Sequence, residues 1–202
     1  MLYKYPRTIH LPWSEGVSSD DIKTFDDSFF HGKKVVVTEK MDGENTTLYN
    51  NYIHARSIDS IDHESRHYVK NFWNGIKYLI PDNIRVCGEN LYAKHSIYYN
   101  NLSSYFLCFS VWLNDKCLPW DKTRNFCSDI NIDIVPVLYE GIYDKEKIKS
   151  LFDNNMEGYV VRLYDSFLIN DFHKCVAKFV RKNHVQTDKH WMRQKIIKNK
   201  LR

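Results

Sequence analysis

Short apolar runs rich in β-branched residues recur along this chain, and a single long stretch shows helical spacing. Lys34–Glu39 (KVVVTE), Ile84–Glu89, Tyr105–Trp112, Ile134–Tyr139, Gly158–Leu163 and Cys175–Val180 each read as a strand, because branched and aromatic side chains suit a pleated, half-buried surface. Thr46–Tyr49 and Tyr52–His54 flank Asn50-Asn51, which reads as a hairpin turn. From Glu64 to Ile80 the residues Val69, Phe72, Trp73, Ile76, Leu79 and Ile80 recur at helical spacing, and Pro81 stops that helix. Ile148, Leu151 and Phe152 mark a short helix behind Asp144, a side chain suited to the N-cap. Strands and helices do not alternate regularly, which argues against a doubly wound parallel sheet. The expected class is α+β, with packed antiparallel sheets and helices outside.

The first thirty residues read as loop, with turn signals at Pro12, Glu15-Gly16 and Ser18-Ser19-Asp20. The segment from Thr187 reads as a basic helix: Lys189 to Arg202 holds six Lys or Arg and no Asp or Glu. Such a run suits either a solvated helix face or a contact with phosphates. The 202 residues therefore divide into one domain, 1–182, and a basic helical extension, 183–202. No apolar run reaches the length of a membrane span, and MLYKYPRTIH has no apolar signal core. The expected location is cytoplasmic or intracellular viral, without export or membrane contact. Five cysteines without CxxC spacing read as reduced, mostly buried thiols. The nine histidines, His63 and His67 included, form no zinc-ligand pattern and read as surface or nucleic-acid-facing groups. A net charge of +4 permits a polyanionic partner without requiring one.

Lys40-Met41-Asp42-Gly43-Glu44-Asn45 follows the KVVVTE run directly. A lysine at a strand end can project into a cleft, and a nearby glycine lets a phosphate approach the backbone. A KxDG tetrapeptide alone is a weak signal and more often describes a surface turn. Further groups follow in order: His54-Ala55-Arg56-Ser57, Gly88-Glu89-Asn90, FLCFSV (Phe106–Val111), EGYVVR (Glu157–Arg162) and AKFVRK (Ala177–Lys182). The ordered set, spanning residues 39 to 182, resembles the covalent nucleotidyltransferase superfamily of ATP-dependent ligases and capping enzymes. Within it the chain looks most like RNA ligases of the nick-sealing and RNA-editing type. HLPWS (His10–Ser14), ENTTLY (Glu44–Tyr49), HSIYY (His95–Tyr99) and HVQTDKHW (His184–Trp191) are similar to segments of small stand-alone RNA ligases. No physical role for those segments follows from the residues alone.

The resemblance implies an adenylyltransferase domain, ATP-grasp-like, without an oligonucleotide-binding domain. Twenty residues follow Lys182, fewer than the ~60 that such a domain needs, which argues against a capping enzyme or conventional DNA ligase. Thirty-nine residues precede Lys40, too few for the extra domain of NAD-using ligases. The resemblance implies that Lys40 attacks ATP and carries AMP. An ordinary lysine titrates near about 10.4, so a neighbouring cation such as Lys178, or a metal, would have to lower it. Arg56 would approach the nucleotide's sugar and phosphate or the nucleic-acid end. Glu89 would accept a ribose hydroxyl, and Phe109 would stack on adenine. Glu157 would hold Mg²⁺ or Mn²⁺, and Lys178, Arg181 and Lys182 would surround the phosphates. Glu39, Asp42, Gly43 and Asn45 complete the implied nucleotide-binding set. The family's usual pair of lysines one residue apart is absent here, since Lys178 is followed by Phe179 and Val180. Asn45 matches the RNA-ligase form of the first motif, whereas Asp42 is shared with DNA ligases. The implied substrate is RNA, including a nicked duplex or RNA/DNA hybrid. The alternatives are a DNA or mixed nick ligase and a non-catalytic nucleic-acid-binding module, though Lys40, Glu157 and Lys178 are all present.

Overall fold

The computed structural model describes residues 1–17, 21–24, 26–59, 62–182 and 195–202. Two sheets form the body. One has the order β1-β11-β9-β2-β8, built from β1 (Ile9–His10), β2 (Lys34–Glu39), β8 (Val137–Ile142), β9 (Gly158–Leu163) and β11 (Val176–Val180). The other has the order β10-β7-β6-β5-β3-β4. It comprises β3 (Glu44–Leu48), β4 (Ile53–Ala55), β5 (Ile84–Asn90), β6 (Phe106–Leu113), β7 (Lys116–Cys117) and β10 (Phe167–Leu168). Every pairing between these strands is antiparallel except β1 with β11. The α+β class with packed antiparallel sheets is therefore the observed one.

The period of two along a strand sorts the side chains. In the first sheet Val35, Val37, Tyr159, Val161, Ala177 and Phe179 share one core with Ile148 of helix α3 (Lys145–Ser150). Their alternates Val36, Val160 and Val176 belong to other cores, shared with residues of the second sheet. In the second sheet Leu48, Val86, Phe106 and Val111 pack with Val69 of α1 (His67–Ile76) and Cys127 of α2 (Trp120–Asp129). Each fully buried aliphatic side chain of this kind stabilises the fold by about 1.5–3 kcal/mol. Helices thus cover the outer faces, and the inner faces are left to form a cleft.

Local signals act as their chemistry dictates. The Asp144 carboxylate accepts from the Lys147 N–H at 3.1 Å and caps α3. Tyr49 N–H donates to Tyr52 O at 2.8 Å and closes the β3–β4 hairpin. The stretch before Pro81 is helical from Glu64, but its first and last turns are 3-10 rather than α. All five cysteines are buried and unbridged. Among the described residues no helix is long and apolar enough to cross a membrane.

Several expectations are corrected. The strand at Ile134–Tyr139 starts later, at Val137, because Pro136 is a crossing point between sheets. Ile134 bridges to Cys108 of the second sheet, while Pro136 O accepts from Glu39 N in the first. Helix α2 was not legible because its buried stripe is only Trp120, Thr123 and Cys127 in a polar segment. The N-terminal stretch is not all loop, since Ile9–His10 pairs with β11. Two histidines are not surface groups: His10 is 0% and His54 3% exposed. The expected C-terminal helix fails over 195–202, where Lys198 bridges to Ala93 and Leu201 to Leu102. The HVQTDKHW segment and the rest of that expected helix, 183–194, lie outside the described residues.

Candidate active site

Strand registers bring the distant motifs together. Asn45 of β3 stands directly opposite Glu89 of β5. In the other sheet Lys178 of β11 is opposite Val160, which is opposite Thr38. Lys40 follows two residues after Thr38, its N–H bonded to Gly158 O at 3.0 Å. A cavity of about 200 Å³ opens between the sheets, and Glu39, Lys40, Asn45, Arg56, Glu89, Phe109 and Lys178 all line it. Asn45 Oδ1 is buried with no hydrogen-bond partner among the described residues, a state that a bound donor would complete.

Lys40 makes a close ion pair at the cavity. Its Nζ lies 2.6 Å from Glu157 Oε1, with the lysine side chain 25% and the glutamate side chain 6% exposed. Burial pushes the Lys40 amine down, but Glu157, Glu89 and Asp42 outweigh burial and hold it above the ordinary lysine value. The protein's own carboxylates therefore favour the ammonium form of Lys40. Burial raises Glu89 to about 8 against the pull of Lys40, with Glu157 and Asp42 adding to the rise. Glu39 is raised by burial and by Asp153. Lys178 is lowered, first by burial and then by the charge of Lys40.

Other expected site residues sit elsewhere. Asp42 is not among the cavity's lining residues. Its Oδ2 accepts from the N–H groups of Ser96 and Ile97, both at 2.7 Å, and its own N–H donates to the Tyr99 hydroxyl at 2.9 Å. The HSIYY segment is therefore a loop fastened to the turn that carries Lys40. Packing excludes a side chain at Gly43: a Cβ there would stand 2.5 Å from Asn90 O and 2.8 Å from Leu91 Cδ2. Arg181 does not line the cavity; its N–H donates to Glu157 O at 3.0 Å. The second cation at the lining is instead Arg162, 4% exposed, whose guanidinium donates to Leu118 O at 2.8 Å. Its position two residues beyond Val160 in EGYVVR was the available signal, since both share a strand face. Phe109 is half-buried and meets Tyr5 edge-on at 5.2 Å. Tyr5 and Thr8 also line the cavity and were missed, because nothing local marks an N-terminal segment that crosses a distant pocket.

The HLPWS segment also acquires a place. Trp13 Nε1 donates to the Tyr159 hydroxyl at 2.8 Å, and Leu11 N donates to Lys178 O at 2.8 Å. At the other end of the chain Asn199, 1% exposed, donates from Nδ2 to Leu91 O and accepts at Oδ1 from Tyr99 N. The tail thus grips the loop that holds Asp42.

Comparison with known proteins agrees with this architecture. The family model described as RNA ligase matches residues 33–180. A search of curated proteins finds no match. Among solved structures, a Naegleria gruberi RNA ligase mutant with AMP and Mn superposes with a TM-score of 0.54 at 17% identity, over 77% of this chain and 52% of that one. A further mutant of that ligase with ATP and Mn gives 0.55 at 18% identity, over 88% and 57%. An apo mutant gives 0.56 at 18%, over 88% and 57%. Likeness at this identity establishes the shared fold, and the chain spans little more than half the length of these structures.

Proposed function

Because this chain belongs to the RNA ligase family, we propose that its cavity carries out ATP-dependent joining of RNA 5′-phosphate and 3′-hydroxyl ends. The observation that carries the reading is the convergence of Lys40, Glu89, Phe109, Arg56 and Lys178 on one cavity, with Glu157 paired to Lys40. In the first step the Lys40 amine, having lost a proton, attacks the α-phosphorus of ATP. An N–P bond forms, the bond to the β-phosphate oxygen breaks, and pyrophosphate leaves. In the second step AMP passes to the RNA 5′-phosphate and Lys40 regains its free amine. The 3′-hydroxyl then attacks that phosphate and AMP departs. Lys178 offsets phosphate charge, Glu89 accepts a ribose hydroxyl, and Phe109 packs on the base.

A divalent ion fits the donor set in a limited way. Glu157 offers hard carboxylate oxygen, but no cluster of three His, Cys, Asp or Glu side chains among the described residues encloses an ion. Mg²⁺ or Mn²⁺ would be held by Glu157 together with substrate phosphates and water. Bound there, the ion supplies charge that favours pyrophosphate departure and an unprotonated Lys40. The test is incubation with α-labelled ATP and divalent metal, followed by 5′-phosphorylated RNA and DNA as nicked duplexes and single strands. Label on the protein and transfer to RNA support the reading; sealing of DNA alone overturns the substrate class.

Two variants probe the parts. Phe109→Ala weakens ATP binding by about 1–3 kcal/mol if the ring stacks on the base, measured by calorimetry on folded protein. Unchanged affinity with a lower melting temperature would assign Phe109 to packing against Tyr5 alone. The tail is proposed as a clamp on the phosphate backbone within the 1–182 plus 183–202 division. Changing Lys195, Lys198 and Lys200 to Gln flattens the log–log salt dependence of RNA binding by up to roughly 2–3 and leaves self-labelling near normal. Equal binding at every salt concentration would make those lysines plain surface.

A further inference from the structure

β1 runs parallel to β11 with His10 in register with Lys178. His10 is wholly buried, an unusual place for an imidazole unless its ring nitrogens are engaged. Its Nδ1 lies 2.7 Å from Ser14 Oγ, and its Nε2 lies 3.2 Å from Asp21 Oδ2. The other oxygen, Asp21 Oδ1, accepts from Lys178 Nζ at 3.2 Å. Ser14 Oγ in turn accepts from Val180 N at 3.0 Å.

Donor and acceptor chemistry orders this chain. A carboxylate only accepts, so the histidine proton belongs on Nε2, facing Asp21. Nδ1 is then an acceptor, and the Ser14 hydroxyl donates to it. The hydroxyl oxygen is left to receive the Val180 N–H. The neutral imidazole suits the Ser14 bond and the 3.2 Å approach of Nε2 to Asp21, an approach short of full hydrogen-bond geometry that leaves Nε2 without a complete partner among the described residues. A buried histidine that fixes a carboxylate, which in turn fixes a working cation, is a positioning arrangement.

We infer that His10 and Asp21 are positioning residues that hold the Lys178 ammonium in the cavity beside Lys40. The inference rests on the proposed ATP-dependent reaction and adds to it a use for the HLPWS segment. Lys40, Arg56, Arg162 and Lys178 all line this cavity, and Lys178 is placed within β11. The groups that face it are His10 from β1, Asp21 from the segment after it, Lys40 from the end of β2 and Glu157 from the start of β9. Burial and Lys40 both disfavour its charge, and Asp21 works against them. His10 stays uncharged, pushed down to about 4 by burial and then by Lys178, so it orients the carboxylate without cancelling it.

The sign of the pH effect follows. Removing the Asp21 charge lets Lys178 lose its proton at lower pH, so the alkaline limb of the self-labelling profile moves down. Asp21→Asn, which keeps size and shape, lowers the labelling rate about 10- to 100-fold, the worth of one charge-assisted hydrogen bond. Asp21→Glu restores part of the rate. In a Lys178→Gln background Asp21→Asn has no further effect, because the two act as a unit. The measurements are label incorporation against pH and ATP concentration, with melting temperature recorded for each variant. A parent-like rate and pH profile for Asp21→Asn overturns the inference. So does a loss of equal size in the Lys178→Gln background. NMR titration of the Lys178 side chain reads the same pairing without turnover, and an unshifted Lys178 in Asp21→Asn also overturns it. If the parent protein takes no label, the ligase reading fails, while the NMR titration still decides the Asp21–Lys178 pairing.

Discussion

Lys40→Arg is expected to lose all covalent labelling from α-labelled ATP while staying folded. The guanidinium keeps the positive charge that Glu157 meets at 2.6 Å in the parent, but it remains protonated and is a poor nucleophile. Lys40→Ala also loses labelling and, in addition, strips the buried Glu157 of that cation. Breaking a fully buried pair costs about 3–5 kcal/mol. Lys40 reaches solvent with a quarter of its side chain, so a smaller loss, about 2 kcal/mol, is expected in denaturant unfolding. The Arg variant separates chemistry from folding for that reason. Label on either variant, mapped by proteolysis to another residue, would place the nucleophile elsewhere and undo the proposed mechanism.

Glu157→Gln carries two opposed effects, and their balance is informative. Glu157 holds Lys40 in its ammonium form, so removing the charge frees the amine at lower pH and by itself speeds attack. The same change removes the carboxylate proposed to hold the divalent ion. An ion at the phosphates is worth several kcal/mol, and each ~1.4 kcal/mol is a factor of ten in rate. The expected net result is a fall in labelling of roughly 100-fold or more at saturating ATP. The metal concentration for half-maximal rate should rise alongside. The pH at which the remaining activity develops should fall. Faster labelling than the parent, with an unchanged metal requirement, would show that Glu157 only masks the nucleophile.

The lining of the cavity was legible where strand order and alternation carry it. Lys40, Asn45, Arg56, Glu89, Phe109 and Lys178 lie on or beside six different strands, yet each stands in a short run whose motif is local. Once those runs pair, the alternation of side chains aims them inward. Arg181 follows the end of β11 and is not among the lining residues, whereas Arg162 of β9 is. Asp42 and Gly43 have structural contacts that the sequence did not show. One ties down the 95–99 loop, and the other lets β5 approach. The C-terminal run was read by charge, whereas its described end is held by backbone bridges and by Asn199, an uncharged residue in a basic segment.

By itself, the sequence determined the class of fold, the eight longer strands of the two sheets and several of the residues that line the cavity. These depend on periodicity and on motifs a few residues long, and both are local properties. Tertiary structure alone decided how charge is distributed among them. Asp21 reaches Lys178 across 157 positions of sequence, and His10 is buried because β1 docks beside β11. Glu157 meets Lys40 because the start of β9 abuts the end of β2. Coulomb energy and desolvation depend on separation in space and on burial, and neither can be read from spacing along the chain.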